Sequence, residues 1–496
     1  MLFNSLEYLI FLPVVLAVYY IIPDRAKHAW LLVCSYFFYM CWNAVYALLI
    51  LLSTAATYLC ALLLERARQS AKNENRRLEK LSLALCIVLN LGILFYFKYF
   101  NFAVSSLNAV LAGCGLAFRC PTLDIVLPVG ISFYTFQALG YTIDVYRRDI
   151  YAEKNFLRYA LFVSFFPQLV AGPIERSKNL LRQLAVPRKA DFNAMREGVL
   201  LILWGFFLKV VLSDRIAMFV DTVYGDSSMY GGWYTIIAAL LFAIQIYCDF
   251  GGYSTIAVGS AKMLGVELME NFDTPYLSMS TAEFWRRWHI SLSTWFRDYV
   301  YIPLGGSRRG KARKYLNIMI TFGLSGLWHG ARWTYVFWGL LNGAYQVIGE
   351  LLKPLRDRGV KALGLHRDSL GHKTVRVLVT FLLISFALIF FRAPQLSDAF
   401  NIVHGMFTDI NPWILFDGSL YECGLNRANF DLMLLGIALL TGADICKLRG
   451  IKLRELIVKQ DAWCQSLIIA LSAALILLFG ILGDSTEAVS FIYFQF

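Results

Sequence analysis

The sequence predicts an all-α, polytopic membrane protein with about 10–12 transmembrane helices. Of its 496 residues, 58% are hydrophobic and only 16% are charged, whereas soluble proteins carry about 25% charged residues. Residues 29–64 contain no Lys, Arg, Asp or Glu. As one straight helix this stretch would be about 54 Å long, against a hydrocarbon core of about 30 Å. We therefore expect two crossings there, separated near Asn43.

The distribution of basic residues predicts which loops face the cytoplasm. The segment "ERARQSAKNENRRLEK" at 65–80 carries six Lys or Arg residues. The other loops expected on the cytoplasmic side are 147–158, 174–196, 305–315, 353–373 and 447–459. Loops poor in basic residues, which we expect to face outward, are 101–123, 221–231 and 393–431. We attribute the net charge of +12 to this topology, and we expect no nucleic-acid partner.

The apolar segments between these loops form one integral membrane domain over residues 1–496, with both termini outside. The predicted crossings lie near 6–22, 29–43, 45–64, 81–100, 123–146, 197–213, 232–250, 374–391, 430–446 and 465–483. The first stretch, "LEYLIFLPVVLAVYYIIP", lacks a basic flank and a small-residue cleavage site. We interpret it as a retained crossing rather than a signal peptide.

Two segments have basic loops on both sides, so we expect each to enter the membrane and return. The segment 157–172 is short, Pro167 interrupts it and Pro173 follows it. Residues 316–328 would make a helix about 20 Å long, too short to cross. The outbound arm begins at Ala331, which places His329 at the turn, buried part-way through the bilayer.

His329 lies in "GLSGLWHGARWTYVFWG", residues 323–339. An ionisable residue at membrane depth is costly and by default indicates a functional site. The alternative is a structural histidine bonded to a carbonyl group. Trp328 and Trp333 would provide rigid walls, and nearby glycines would let a helix or a thin ligand approach. An imidazole suits a general base that takes a proton from an alcohol.

A second histidine, His289, lies in "FWRRWHISLSTWFRDYVYIPLGG" at 284–306. On a continuous helix one aromatic face would contain Trp285, His289, Leu292, Phe296 and Tyr299. Arg286 and Arg297 fall mostly outside that face. Two roles are open for them: anchoring the helix, with the guanidinium groups extended toward the membrane surface, or binding the phosphates of a cytoplasmic ligand. The alternative is an amphipathic helix anchored by tryptophans, in which His289 has no role.

Other site chemistries find little support. The sequence has no G-x-S-x-G elbow, no Walker loop and no histidine or cysteine set at metal-ligand spacing, so we predict no metal site. Cys114 and Cys120 flank a predicted outward loop, where a disulfide could form.

"WFRDYVYIPLGGSRRG" followed by "LSGLWHGARWTYVFWGLLNG" resembles the membrane-bound O-acyltransferase family. The resemblance extends to "LPVGISFYTFQALGYTIDVYR", "FFPQLVAGPIER", "IQIYCDFGGYSTIAVG" and the closing "FIYFQF", and it covers essentially the whole chain. It is strongest to the bacterial branch that acetylates alginate or peptidoglycan. The resemblance implies outer helices and re-entrant segments around a central tunnel.

The resemblance also implies the site and its reaction. His329 matches the family's catalytic histidine, and His289 matches a second functional histidine nearer the cytoplasmic mouth. Asp298, Tyr301 and Asp249 are candidates to orient groups around the site, or to be structural. The implied donor is acetyl-CoA, and the implied acceptor is an extracytoplasmic polysaccharide, often reached through an SGNH-type partner acetyltransferase. The implied location is the bacterial inner membrane.

Three alternatives remain open at this point. The first is transfer of D-alanine from a carrier-protein thioester to teichoic acid, whose enzymes usually lack the long tail after the histidine motifs. About 160 residues follow Gly330 here, which favours the acetylating branch. The second is a proton-coupled transporter, against which we find no inverted repeat. The third is a structural scaffold for an export complex.

Overall fold

The computed structural model describes residues 1–69, 76–170, 172–226, 229–408 and 410–481. These residues form helices and connecting loops, and no β-strand occurs among them. The chain divides into two compact units. One contains residues 1–199 and 257–269, and the other contains residues 200–256 and the chain from residue 270 onward.

Among the described residues, the first unit contains residues 257–263 of a later helix, nine complete α-helices and the beginning of a tenth. They are α1 Leu6–Ile21, α2 Asp24–Met40, α3 Ala47–Gln69, α4 Arg76–Leu94, α5 Phe100–Gly113, α6 Ile131–Tyr146, α7 Phe156–Ser164, α8 Phe166–Leu169, α9 Ser177–Leu184 and α10 Phe192–Phe206. A π-type turn at Phe95–Tyr99 joins α4 to α5.

The second unit contains the end of α10, most of α12 and all the helices that follow. Its helices are α11 Asp214–Gly225, α12 Trp233–Met263, α13 Thr281–Arg287, α14 Ile290–Phe296, α15 Lys311–His329, α16 Trp333–Leu351, α17 Lys353–Ala362, α18 Leu370–Arg392, α19 Leu396–Thr408, α20 Arg427–Leu448, α21 Leu453–Val458 and α22 Ala462–Phe479. Two further π-type segments, Phe207–Ser213 and Arg297–Tyr301, follow α10 and α14.

Five helical stretches of the described chain are long and apolar enough to cross a membrane. They are Ala44–Arg68, Arg76–Gly113, Trp233–Met263, Leu370–Arg392 and Ala462–Phe479. The apolar window of Trp233–Met263 is 78% buried in protein, whereas that of Ala462–Phe479 is only 11% buried. An apolar helix with so little protein contact suits a lipid-facing position. The all-α, polytopic class is therefore confirmed.

Several predicted boundaries differ from those of the structure. The expected crossing at 123–146 is helical only from Ile131. The expected span 81–100 is part of a longer stretch, Arg76–Gly113, and the span 232–250 continues to Met263. Apolar length alone does not reveal where a helix continues through polar residues. The closing "FIYFQF" lies outside the described residues, and the sidedness of the loops stays a prediction.

Helix α6 is a long helix of the first unit that is buried almost throughout. Fourteen of its sixteen residues are buried, polar ones included. A helix buried on all sides must pair its polar groups internally. Gln137 donates through Nε2 to the Phe162 carbonyl at 2.6 Å. Asp144 accepts through Oδ2 from the Ser177 hydroxyl at 2.8 Å. These bonds fix α6 against α7 and α9.

The predicted re-entrant segment 157–172 is a broken helix. It divides into α7 and α8 at Phe165. The backbone groups released by the break are paired with side chains. The Phe162 carbonyl accepts from Gln168 at 2.7 Å as well as from Gln137, and Phe166 N donates to the Ser35 hydroxyl at 3.1 Å. Buried pairing of this kind allows irregular backbone at membrane depth.

The sequence left a disulfide between Cys114 and Cys120 open, and both thiols are free in the structure. The loop is closed by Asn108 instead. Its Nδ2 donates to the Cys120 carbonyl at 2.9 Å, and its Oδ1 accepts from Cys120 N at 2.8 Å. Two amide hydrogen bonds therefore hold the two ends of the loop together.

Helices α15 and α16 form an antiparallel hairpin whose turn follows His329. The predicted turn is confirmed, but the inbound arm begins at Lys311 rather than at residue 316. The two helices are in close contact at Gly326 and Gly339, where a Cβ on Gly326 would lie 3.2 Å from the Gly339 Cα and would overlap the Tyr335 carbonyl oxygen. The glycines therefore permit the approach of a helix.

A buried ion cluster joins α12 to the π-type segment after α10. Lys209 Nζ lies 2.8 Å from Asp214 Oδ1 and 2.7 Å from Asp249 Oδ1, and no side chain of the three is more than 3% exposed. Two carboxylates this close would repel each other without the cation between them. The stability of the cluster therefore depends on Lys209 as the counter-ion of both carboxylates.

We expect Gly326→Ala to destabilise the hairpin, because its methyl group has no space against the Tyr335 carbonyl. Overpacking of this kind costs about 1–3 kcal/mol. Gly349→Ala in α16 is the matched control, since nothing lies within 4 Å of its Cβ position, and alanine is favoured there by about 1 kcal/mol. Thermal unfolding of the purified protein in detergent should place the first variant below wild type and the second at or above it. Equal melting temperatures would contradict the packing argument.

We expect Lys209→Met to be strongly destabilising, because it leaves Asp214 and Asp249 buried without a counter-ion. Removing one partner of a buried ion pair costs about 3–5 kcal/mol. Lys262→Met is the control, since the Lys262–Glu197 pair is about one-fifth exposed. The triple variant with Asp214→Asn and Asp249→Asn should recover much of the lost stability. A melting temperature for Lys209→Met as high as that of Lys262→Met would refute this account.

Candidate functional site

His329 is the last residue of α15 and is 3% exposed. Three aromatic rings enclose its imidazole. The centroid distances are 5.0 Å to Trp328, 5.1 Å to Trp338 of α16 and 5.6 Å to Phe391 of α18. The Trp338 and His329 ring planes are perpendicular. His329 therefore lies in an aromatic pocket built from three helices.

His289 lies between α13 and α14 and is fully buried. Its φ of 43° is in the left-handed region, which non-glycine residues seldom adopt. The expected continuous helix over 284–306 is therefore wrong, because α13 ends at Arg287 and α14 begins at Ile290. Trp285 and His289 consequently do not share a helical face.

The break in the helix brings the two histidines together. The ring centroids of His289 and His329 are 6.2 Å apart. Trp328 lies 6.1 Å from the His289 ring, and Phe250 of α12 packs edge-on against it at 4.7 Å. The separation of the two imidazoles is too long for a direct hydrogen bond between them. The two residues form one site.

Asn271 fixes the position of His289. Its Oδ1 accepts from His289 Nδ1 at 3.1 Å, from Ser291 N at 3.2 Å and from the Ser291 hydroxyl at 2.9 Å. A backbone N–H can only donate, so the Asn271 atom that faces it must be the carbonyl oxygen. His289 Nδ1 must then carry the proton, which leaves the lone pair of the neutral imidazole on Nε2.

Backbone hydrogen bonds reinforce this arrangement. Ile290 N donates to the Asn271 carbonyl at 3.0 Å, and Asp273 N donates to the Arg287 carbonyl at 2.9 Å. The Arg287 guanidinium also donates to the Thr274 hydroxyl at 2.9 Å and pairs with Glu283 at 3.0 Å. Segment 271–274 therefore lies alongside 287–290 and holds the left-handed residue in place.

Of the remaining predicted site residues, Trp328 lies beside the two histidines, whereas Asp249, Arg286 and Arg297 have other contacts. Trp328 touches both imidazoles, as expected of a wall. Asp249 is bound to Lys209 in the buried ion cluster, which is a structural contact. Arg286 is exposed on α13, and Arg297 pairs with its neighbour Asp298 at 2.7 Å.

Tyr301 is half-buried, and its ring lies 3.5 Å from the Cβ position of Gly306. Contacts of Arg286, Arg297, Asp298 and Tyr301 with a substrate stay predictions. In the described part of the chain, no three His, Cys, Asp or Glu side chains are placed to hold a metal ion.

Sequence reasoning missed Asn271, Phe250, Trp338 and Phe391. Asn271 precedes His289 by eighteen positions in a loop without helical periodicity, so spacing could not connect the two. Its position at the start of "NFDTPY", in the loop after an apolar helix, is a weak local signal. Trp338 and Phe391 reach His329 from the predicted outbound arm and from the predicted crossing at 374–391, and apolar length did not indicate which of their side chains face the histidine.

Comparison with known proteins identifies relatives that share most of the chain. A probable alginate O-acetylase AlgI of Pseudomonas aeruginosa is 38% identical over 89% of this chain and 80% of its own length. A peptidoglycan O-acetyltransferase of Helicobacter pylori is 32% identical over 82% and 80%. A teichoic acid D-alanyltransferase of Streptococcus thermophilus is 30% identical, but over only 48% of this chain and 64% of its own length.

The profile of the membrane-bound O-acyltransferase family matches residues 145–391, a range that contains both histidines. The apolar helices and the relatives that match over more than four-fifths of the chain agree with this match. The chain belongs to the membrane-bound O-acyltransferase family and is a multi-pass membrane O-acyltransferase.

Proposed function

We propose that the protein transfers an acetyl group from cytoplasmic acetyl-CoA, across the plane of the bacterial inner membrane, for O-acetylation of an extracytoplasmic polysaccharide. His329 is the catalytic group and His289 its functional partner. The observation that carries the proposal is the pair of buried imidazoles 6.2 Å apart in an aromatic pocket. An SGNH-type acetyltransferase outside the membrane is the proposed partner that delivers the acetyl group to the polymer.

The choice of acetate rests on the relatives. Those named as alginate or peptidoglycan O-acetylating proteins match this chain over more than four-fifths of its length. The D-alanyltransferase matches less than half of it. The chain after Gly330 continues through α16–α22, as expected for the acetylating branch. D-alanyl transfer from a carrier-protein thioester is therefore the second candidate.

The proposed chemistry requires one base and one departing thiol. His329 takes the proton from an acceptor hydroxyl as the hydroxyl oxygen attacks the thioester carbonyl carbon. The carbon–sulfur bond breaks, the thiolate receives a proton, and an ester remains on the acceptor. A neutral imidazole is suited to this role because the lone pair of its unprotonated nitrogen can accept the hydroxyl proton. Alternatively, His329 itself attacks the thioester and carries the acetyl group as an acyl-imidazole until the acceptor displaces it.

His289 supports this reaction through its Nε2. Because Nδ1 donates to Asn271, the Nε2 lone pair of neutral His289 is an acceptor for a substrate hydroxyl. The two imidazoles are neighbours, with ring centroids 6.2 Å apart. This geometry supports a hydroxyl held by one histidine and deprotonated by the other.

Acyl transfer also requires that water be excluded from the site, and the aromatic side chains around His329 meet this requirement. Trp328, Trp338 and Phe391 surround His329 with apolar surface. An acyl thioester near an activated base would otherwise be hydrolysed. The same walls argue against a proton-coupled transporter, because a proton relay requires a continuous chain of polar groups or water.

We expect His329→Ala to abolish O-acetylation, because loss of a general base or nucleophile costs at least about 10²- to 10⁴-fold. The measurement is ester-linked acetate and D-alanine on envelope polysaccharides from a deletion strain complemented with each variant. His404→Ala, at an exposed histidine of α19, is the matched control. If only wild type and the control restore acetate, the proposal is supported.

Restoration of D-alanine instead of acetate would assign the chain to the other branch. Restoration of acetate by His329→Ala would refute the catalytic role and would favour a structural scaffold.

We expect no lasting covalent label on the purified protein if His329 acts as a base. The measurement is incubation with acetyl-labelled acetyl-CoA without acceptor, followed by rapid denaturation and counting. His329→Ala measures the background. Label on wild type that is absent from His329→Ala and is released by hydroxylamine would show that His329 carries the acetyl group, and it would refute the general-base mechanism.

A further inference from the structure

We propose that Asn271 is a positioning residue that fixes the tautomer and orientation of His289 for acyl transfer. The inference rests on the function proposed above and adds a residue that acts through His289. Its basis is the convergence of three donors on one buried oxygen, Asn271 Oδ1.

The first argument concerns the identity of the acceptor atom. Ser291 N is an obligatory donor and lies 3.2 Å from Asn271 Oδ1. If the amide were rotated by 180°, its NH₂ group would face this N–H, and the Ile290–Ser291 turn would lose its acceptor. The oxygen orientation is therefore fixed by the backbone. His289 Nδ1, at 3.1 Å from the same oxygen, must be the protonated nitrogen.

The second argument concerns the backbone of His289. Its left-handed φ of 43° is a strained conformation that persists only when the surroundings impose it. Asn271 imposes it from two sides, with its carbonyl bound to Ile290 N and its side chain bound to Ser291. A helix through residues 284–296 would satisfy local propensity without strain, and it would direct the imidazole along a helical face. Asn271 prevents that relaxation.

The third argument concerns charge. Asn271 is 2% exposed and uncharged, so it orients the imidazole without the electrostatic pull of a carboxylate. A neutral His289 keeps Nε2 available as an acceptor. Asn271 therefore selects which nitrogen faces the site and leaves the imidazole neutral.

A double-mutant cycle tests this inference in the full-length protein. The variants are Asn271→Leu, His289→Ala and the two combined, and the assay is transfer of labelled acetyl from acetyl-CoA to acceptor by the purified protein with its partner. We expect Asn271→Leu to lower kcat by about 10- to 100-fold, the usual effect of losing a partner that orients a functional imidazole, with little change in KM for acetyl-CoA. In the His289→Ala background the same change should cost less than about threefold, because its route of action is already lost.

Two further variants separate positioning from folding. Asn271→Asp keeps an acceptor oxygen at the same place, and we expect it to retain more activity than Asn271→Leu even if its melting temperature is no higher. Asn90→Leu is the matched control. Asn90 is another asparagine that is 1% exposed, and its Oδ1 accepts from Ser53 at 2.6 Å. It should lower stability without changing kcat of the folded fraction.

These experiments distinguish failure of the positioning role of Asn271 from failure of the proposed role of His329. Additive losses in the cycle, or an Asn271→Leu kcat equal to that of wild type, would overturn the positioning role. The same holds if Asn271→Leu does not fold and folded Asn271→Asp is no more active than folded His289→Ala. If His329→Ala keeps wild-type transfer while the Asn271 cycle is non-additive, the proposed role of His329 fails and the positioning role stands.

Discussion

The contact between Gly326 of α15 and Gly339 of α16 is the constraint on which the site depends. It brings the two helix axes close enough for Trp338 to face His329 at 5.1 Å. The same hairpin presents Tyr335 to Phe391 of α18, with ring centroids 4.9 Å apart. A side chain at either glycine would separate these helices, and the aromatic pocket would open. The glycines thus shape the candidate site through the packing of the two helices.

Buried polar groups account for the other irregular parts of the structure. The break between α7 and α8 is paired by Gln137, Gln168 and Ser35. The break between α13 and α14 is paired by Asn271, whose Oδ1 accepts from Ser291 N. In both places an amide or hydroxyl side chain replaces the hydrogen bonds that a continuous helix would make. Within an apolar environment unpaired backbone groups are too costly to persist. These side chains therefore decide where helices can break, and the second break forms the site.

The two histidines have different environments, and the difference supports different roles. His289 is held by a specific hydrogen bond that selects its tautomer, whereas His329 is enclosed by aromatic rings that limit access. An oriented acceptor beside an enclosed base suits acyl transfer between a thioester and a hydroxyl. A structural histidine would need neither the strained backbone of His289 nor the second imidazole at 6.2 Å.

The sequence by itself determined the all-α, polytopic membrane class and the place of His329 at a turn. These features follow from apolar length, loop charge and glycine spacing, which are local properties of the chain. The sequence motifs also identified the family. The tertiary structure alone decided that α13 breaks before His289 and that Asn271 holds it. It also decided that Asp249 binds Lys209 and that Cys114 and Cys120 are not joined. Those outcomes depend on hydrogen bonds and ion pairs between residues distant in sequence, which periodicity does not encode.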